Sequence, residues 1–195
     1  MTASKFSDHA YSWTEIRHLI ESNQLEQFDR SKDQIERYHR FEQDLHDQGT
    51  SLFKHLLVHS LKWALESEFV GVADSQMSIA LSGAGLFENV DDVKVVLNEF
   101  SYFFEDNVTH LCVWSKRSIE SDLNSAVGDL SADTRAVIEK YVQAKFVVQL
   151  GIPPENIVWF RNWAALQSIK EISHIHVLVR NMDSDQLQKA LTCAL

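Results

Sequence analysis

An α+β fold, a mostly antiparallel sheet with helices packed on one face, is what this sequence predicts. Three observations carry the reading. Apolar residues in the first third recur at helical intervals, whereas in the second half they alternate one-on, one-off as in strands. The resulting order is three helices, two strands, a helix, two strands and a last helix. Such grouping suits helices set against an antiparallel sheet better than the strict βαβ alternation of a parallel one. At 195 residues the chain suits one domain, 1–195. It divides into a helical layer over 12–65, a connection over 66–90 and an α/β part over 91–195.

The first helix opens at Ser12, with Glu15 three residues on in the capping-box spacing, and Trp13, Ile16, Leu19 and Ile20 supply its apolar face. Ser31 and Gln34 repeat that signal, and Ile35, Tyr38, Phe41 and Leu45 carry a second helix to a stop at Gly49. Thr50 opens a third, striped by Leu52, Phe53, Leu56, Leu57, Leu61 and Leu65. From Glu66 to Val90 the pattern weakens. The one glycine cluster, Ser82-Gly83-Ala84-Gly85, lacks the lysine and spacing of a phosphate-binding loop, so the stretch reads as a long connection able to act as a lid. Strands follow at 93–97 and 108–116. A helix over 131–150, faced by Val137, Ile138, Tyr141, Val142, Lys145 and Phe146, stops at Gly151. After Pro153-Pro154 come strands at 157–163 and 174–180, and Asp183 or Ser184 caps a helix running toward Leu195.

Composition removes whole classes. No apolar run approaches the ~18 residues of a membrane span, and Met1 to Trp13 lacks a signal-peptide core. Two cysteines, Cys112 and Cys193, make no disulfide framework, so a cytoplasmic, reducing setting is expected. With 28 acidic against 18 basic side chains and a net charge of −10, any nucleic-acid contact needs a local basic patch.

Alternation puts Leu111 and Val113 on one side of their strand and His110, Cys112, Trp114 and Lys116 on the other. In the last strand Ile175, Val177 and Val179 oppose His174, His176 and Arg180. The branched aliphatics belong against helices. Imidazole and indole are poor choices for bare solvent, so the other side predicts a pocket floor, roofed by the 66–90 connection or by the first helices. Asn98 adds to it, and so does either the set Trp159, Arg161 and Trp163 or the intervening Asn162.

Three chemistries fit that surface. His174 and His176, with His110, have the residue types of a metal site, but no carboxylate sits at a fixed spacing. Cys112 shares the face with His110, a thiol beside an imidazole base, although a lone strand cysteine is ordinarily a small hydrophobe. Histidine as general base or proton shuttle is the preferred reading. His55 and His59 stand one helical turn apart, and Arg30, Lys32, Arg37 and Arg40 are interleaved with acids, the pattern of a solvated helix first and an anion patch second.

The blocks Thr109-His110-Leu111, Val113-Trp114-Ser115-Lys116, Gly128-Asp129-Leu130, Trp159-Phe160-Arg161-Asn162-Trp163, Leu166-Gln167-Ser168 and His174-Ile175-His176-Val177 resemble the fungal N-acetylglucosamine-induced protein family, long catalogued as a domain of unknown function. Fungal arginine-containing cyclodipeptide synthases look similar in size and in these blocks. The resemblance implies an enzyme that condenses aminoacyl groups from arginyl-tRNA and a second aminoacyl-tRNA into a cyclic dipeptide, with no cofactor. Under that reading His110, His174 or His176 takes the amine proton, and Asn162, Arg161 or Lys116 stabilises the oxyanion. Glu99, Glu105 and Asp106 offer a carboxylate fork for the guanidinium. Trp114, Trp159 and Trp163 stack on it or on the terminal adenine, and Arg30, Arg37, Arg40, Lys116 and Arg117 meet the tRNA. The alternatives are a non-catalytic small-molecule or protein-binding module of an amino-sugar response, and a metal-dependent hydrolase.

Overall fold

The computed structural model describes residues 5–193. Four strands, β1 (Val93–Leu97), β2 (Val108–Ser115), β3 (Ile157–Phe160) and β4 (Ser173–Arg180), form one antiparallel sheet in the order β1-β2-β4-β3. The two long, β-branched strands lie at its centre, and the shorter ones form the edges. The third strand ends at Phe160, three residues before the expected limit, because Arg161 to Trp163 leave the ladder toward a short turn at Ala164–Leu166.

Five helices surround the sheet. They are α1 (Trp13–Glu21), α2 (Lys32–Asp47), α3 (Leu52–His55, continued by π-helical turns over Leu56–Leu61), α4 (Ala132–Val142, continued likewise over Gln143–Gln149) and α5 (Ser184–Thr192). The predicted caps recur: Ser12 and Glu15 exchange hydrogen bonds at the start of α1, Ser31 caps α2, and Asp183 with Gln186 closes a capping box on α5. Ser51, one residue after Thr50, caps α3, whose helical run stops at Leu61 because Lys62 takes a left-handed conformation with φ 57°. Gly151 serves the same purpose after α4, with φ 67°. The last helix stops at Thr192, and Leu195 lies outside the described residues.

One sheet face seats α4 and α5. Leu111, Val113, Ile175, Val177 and Val179 project into it and meet Ile138, Tyr141, Val142, Phe146 and Ala190. Five of these are wholly inaccessible aliphatics from the two central strands, each worth about 1.5–3 kcal/mol of burial, which fixes the strands' facing. Val137, expected on the buried face of α4, is 42% exposed, while Lys145 is buried there as its position on that face implies.

The opposite face bears the histidines. At one end of it Trp13, Ile16 and Leu19 of α1 pack with Leu25, Phe28, Phe104, Phe160 and Leu178. At the other end Phe53, Leu56, Leu57 and Leu61 of α3 pack on Cys112 and Trp114. The first helices therefore form the roof. The 66–90 connection lies outside it: Phe69, Met77 and Ile79 lean on the α3 cluster, and none of its residues lines the space between the two clusters.

A histidine network on the floor of a cavity

Strand register decides which functional side chains meet. Cys112 lies across from His176 and Trp114 across from His174, while His110 faces Leu178. In the outer pairs Lys94 faces Trp114, Val96 faces Cys112, and Phe160 faces His176. All of these project to the same side, and two residues beyond Phe160 the chain brings Asn162 onto that side as well. The open choice along the third strand thus resolves to Asn162.

Between the α1 and α3 clusters this surface floors a cavity of about 490 Å³. Trp114, His174, His176, Cys112 and Asn162 form the floor, and Arg30, Tyr38, Tyr102, His55 and His59 contribute to the walls. Its volume falls in the range of small-molecule sites.

The polar groups are connected in a chain. Asn162 Nδ2 lies 3.2 Å from His176 Nε2 and 3.0 Å from the Tyr102 hydroxyl. His176 Nδ1 lies 2.9 Å from His110 Nε2, and His110 Nδ1 lies 2.9 Å from Ser101 Oγ. The Ser101 hydroxyl donates to the Tyr102 carbonyl at 2.9 Å, so it receives the His110 proton. That choice sets the sense of the rest: His110 Nδ1–H donates to Ser101, His176 Nδ1–H to His110 Nε2, and the Asn162 amide to His176 Nε2. Both imidazoles are thereby neutral and fully engaged.

Burial keeps them neutral. His110 is pushed down to about 3, first by loss of solvent and then by the Arg30 and His174 charges. His174 is pushed down to about 4, again chiefly by burial, and His176 lies well below the ordinary imidazole range for the same reason. Burial also pushes the Cys112 thiol up to about 12, so it is a protonated, unreactive group at neutral pH.

Three buried polar atoms of the floor have no hydrogen-bond partner among the described residues: the Trp114 indole nitrogen, Asn162 Oδ1 and His174 Nδ1. His174 packs against Trp114 with ring centres 4.0 Å apart and planes tilted by 32°, and stands 4.9 Å from the His176 ring. His174 Nδ1 meets no hydrogen-bond partner among the described residues, while the Ile172 backbone favours the protonated form of its ring. The floor thus holds an imidazole nitrogen and an amide oxygen without partners, on two residues that each adjoin His176.

The same floor has a donor set for a soft metal. One ligand atom from each of His110, Cys112 and His176 lies within 4.8 Å of the others, all three residues being buried. Two imidazoles and one thiol are the ligand types of a zinc site with an open fourth position.

Several expected site residues lie elsewhere. Trp159 points to the helix-covered face, where its indole donates to Glu139 at 2.6 Å. Trp163 packs in the α1 cluster and donates to Asn23. Arg161 is half-buried, donates to the Ser121 hydroxyl and the Gly128 carbonyl, and does not line the cavity. Lys116 sits over the Trp63 ring, away from this cavity. Glu105 accepts the Trp13 backbone N–H at the start of α1, and Asp106 is an exposed turn residue. Glu99 is the acid that lines the cavity. Arg37 and Arg40 are exposed on α2, Arg117 is half-buried after β2, and Arg30 belongs to the cavity wall instead of the outer surface. Residues missed by sequence reasoning are Tyr102 and Ser101, which sit in an aromatic stretch without periodicity.

Comparison with known proteins follows the same boundaries. Residues 12–180 match the family described as a protein of unknown function (DUF3605). Over 177 residues the chain is 42% identical to N-acetylglucosamine-induced protein 1 of Candida albicans (strain SC5314 / ATCC MYA-2876), covering 89% of this chain and 69% of that protein. It is 28% identical over 169 residues to the uncharacterized protein YPL067C of Saccharomyces cerevisiae (strain ATCC 204508 / S288c), covering 87% and 78% respectively. The crystal structure of HTC1 has a similar fold, with a TM-score of 0.69 over 93% of each chain at 24% identity.

Proposed function

The chain belongs to the DUF3605 family, and we propose that it is an aminoacyl-transfer enzyme that joins an arginyl group from arginyl-tRNA to a second tRNA-borne aminoacyl group, giving a cyclic dipeptide. The observation that carries this reading is the cavity floor, where His174 Nδ1 and Asn162 Oδ1 have no hydrogen-bond partner among the described residues and both residues adjoin His176. An α-amine about to attack an ester needs an acceptor for the proton it sheds and a second acceptor to orient it. His174 Nδ1 and Asn162 Oδ1 supply these groups, each a buried atom that must turn toward the cavity to meet the amine. The amine forms the new C–N bond, the tetrahedral oxyanion collapses, and the tRNA 3′-oxygen leaves with the proton held by His174. A second attack of the same kind closes the ring. Trp114 offers its indole N–H to the oxyanion. The ester supplies the driving force, so the reaction needs no nucleotide triphosphate. Glu99 on the rim is the acid available for a guanidinium.

Mass spectrometry of the small molecules made by purified protein with arginyl-tRNA and a second charged tRNA tests the proposal. A cyclic dipeptide that disappears with ribonuclease, and falls roughly 10²–10⁴-fold in folded His174→Gln, is expected. Absence of product with a range of second aminoacyl-tRNAs overturns it and favours a binding module. The His110, Cys112 and His176 donor set supports a second reading, a metal-dependent hydrolase. Stoichiometric zinc in the purified protein, lost in Cys112→Ala, would favour that reading.

A further inference from the structure

The charge of the cavity runs against that of the chain. The protein carries −10 overall, yet the fixed charges lining the cavity are Arg30, Lys62 and Lys94 against the single acid Glu99. Lys62 and Lys94 make no ion pair among the described residues, and Lys94 projects to the histidine side of the sheet because it faces Trp114 across the ladder.

Arg30 is the most constrained of the three. Its Nε donates to the Phe100 carbonyl at 2.9 Å, and its guanidinium lies 4.8 Å from the Tyr38 ring centre and 5.7 Å from that of Tyr102. The aromatic rings and the carbonyl set the plane of the fork. Neither terminal Nη group has a hydrogen bond or a carboxylate partner among the described residues. A half-buried guanidinium held this way and left without an anion is a prepared receptor, since bidentate recognition of an oxyanion is what a fixed arginine fork does well.

We propose that Arg30, with Lys94 and Lys62 on the lining of the same cavity, is an oxyanion subsite that takes a phosphate group of the ligand. The subsite deepens the aminoacyl-transfer reading, on which its natural ligand rests: the phosphate is the one preceding the terminal adenosine of a charged tRNA. It follows that Arg30 repels the guanidinium of the substrate, which is left to the Glu99 side of the rim.

The test uses adenosine 5′-monophosphate, inorganic phosphate and acetate as probes, followed by amide chemical shifts or calorimetry. Saturable binding of adenosine 5′-monophosphate, weaker binding of phosphate and weaker still of acetate are expected. Arg30→Gln should lower the monophosphate affinity roughly ten- to hundredfold. Arg17→Gln, which removes one exposed positive charge from α1, should leave it unchanged. If Arg30→Gln loses its fold, Arg30→Lys carries the test, because it keeps the charge without the planar fork and should still bind several-fold more weakly. No saturable binding by the parent, acetate binding as tightly as the phosphates, or parental affinity in the folded Arg30 variants would overturn the subsite. Monophosphate binding at Arg30 without any cyclic dipeptide would leave the subsite standing and remove the aminoacyl-transfer reading, so the two failures are distinguishable.

Discussion

Lowering the pH from about 7 to about 5 should destabilise this protein through its buried imidazoles. His110 is 3% exposed and its folded-state pKa lies at about 3, against ~6.5 in the unfolded chain. A depressed pKa means that the neutral form is favoured by folding, so the stabilisation is complete above ~6.5 and is lost as the pH falls toward the folded value. Near pH 5 the unfolded chain holds almost one proton at this position and the folded protein almost none. That difference costs roughly 2 kcal/mol from His110 alone, and His174 and His176 add to it with the same sign. The sum is a large part of the ~5–15 kcal/mol that holds a typical domain together. Asp92 and Glu15, whose carboxyls are held low by the hydroxyls of Ser82 and Ser12, lose their contribution only at more acid pH and leave this window clear. Urea unfolding followed by tryptophan fluorescence at several pH values measures the slope. His110→Phe should be less stable than the parent near pH 7, because His176 Nδ1 loses its partner, yet its acid-induced loss should be smaller by about 2 kcal/mol. A parent whose stability is flat across this range, or a variant with the parental slope, would refute the account of a neutral buried pair.

Three further outcomes separate site residues from residues that only resemble them. Glu105→Ala removes the acceptor for the Trp13 backbone N–H and should cost about 1 kcal/mol in denaturant titration, while any turnover per folded molecule stays at the parental level. Trp159→Phe should likewise lose only the exposed bond to Glu139, within about 1 kcal/mol, and keep turnover, whereas Trp114→Phe should lower it. In native protein a thiol reagent should modify Cys193, which is exposed, and spare Cys112, which denaturant then releases. Rapid native labelling of Cys112 in peptide maps would contradict its burial.

The sheet and its two faces are legible in the sequence because each strand repeats one residue class every second position over enough length to decide. The eight residues of β2 and of β4 alternate over most of their length, with Val108 and Leu178 the apolar exceptions on the histidine side, so the placement of His110, Cys112, Trp114, His174 and His176 on one side needs no knowledge of the partners. Ile157 to Phe160 is only four residues long, and both of its faces are partly covered, so alternation leaves Trp159 and Asn162 open. The ladder settles them: Phe160 faces His176, and two positions later the chain sets Asn162 beside it. The lengths of α3 and β3 are overstated by apolar spacing for a related reason. Apolar spacing continues past the point where Lys62 turns left-handed and where Arg161 leaves the sheet, since spacing registers burial and not the conformation of single residues.

The acids and the arginines fail to read out for a deeper cause. Composition offers Glu99, Glu105 and Asp106 within eight residues as equal candidates for the cavity, and only the path of the backbone distinguishes them. Asn98 extends the pairing of β1 by donating its N–H to the His110 carbonyl, and its side chain then accepts the Phe100 N–H, a local turn that leaves Glu99 on the cavity rim. Six residues on, Tyr11 and Phe104 pair across a parallel bridge, and Glu105 donates its backbone N–H to Tyr11 while its carboxylate meets Trp13, 92 positions away. Arg30 is taken out of the basic stretch of α2 in the same manner, by a bond to Phe100 across 70 positions. Contacts of that range have no periodicity for a sequence to display. A buried imidazole announces itself through its neighbours two residues away, whereas the charge that meets the ligand is placed by whichever distant carbonyl holds it. The ligand-facing charges are therefore a property of the loops between the strands. Glu99 is where substitution should alter what is bound without disturbing the histidine floor, whereas Asn98, Ser101 and Tyr102 of the same segment hold that floor in place.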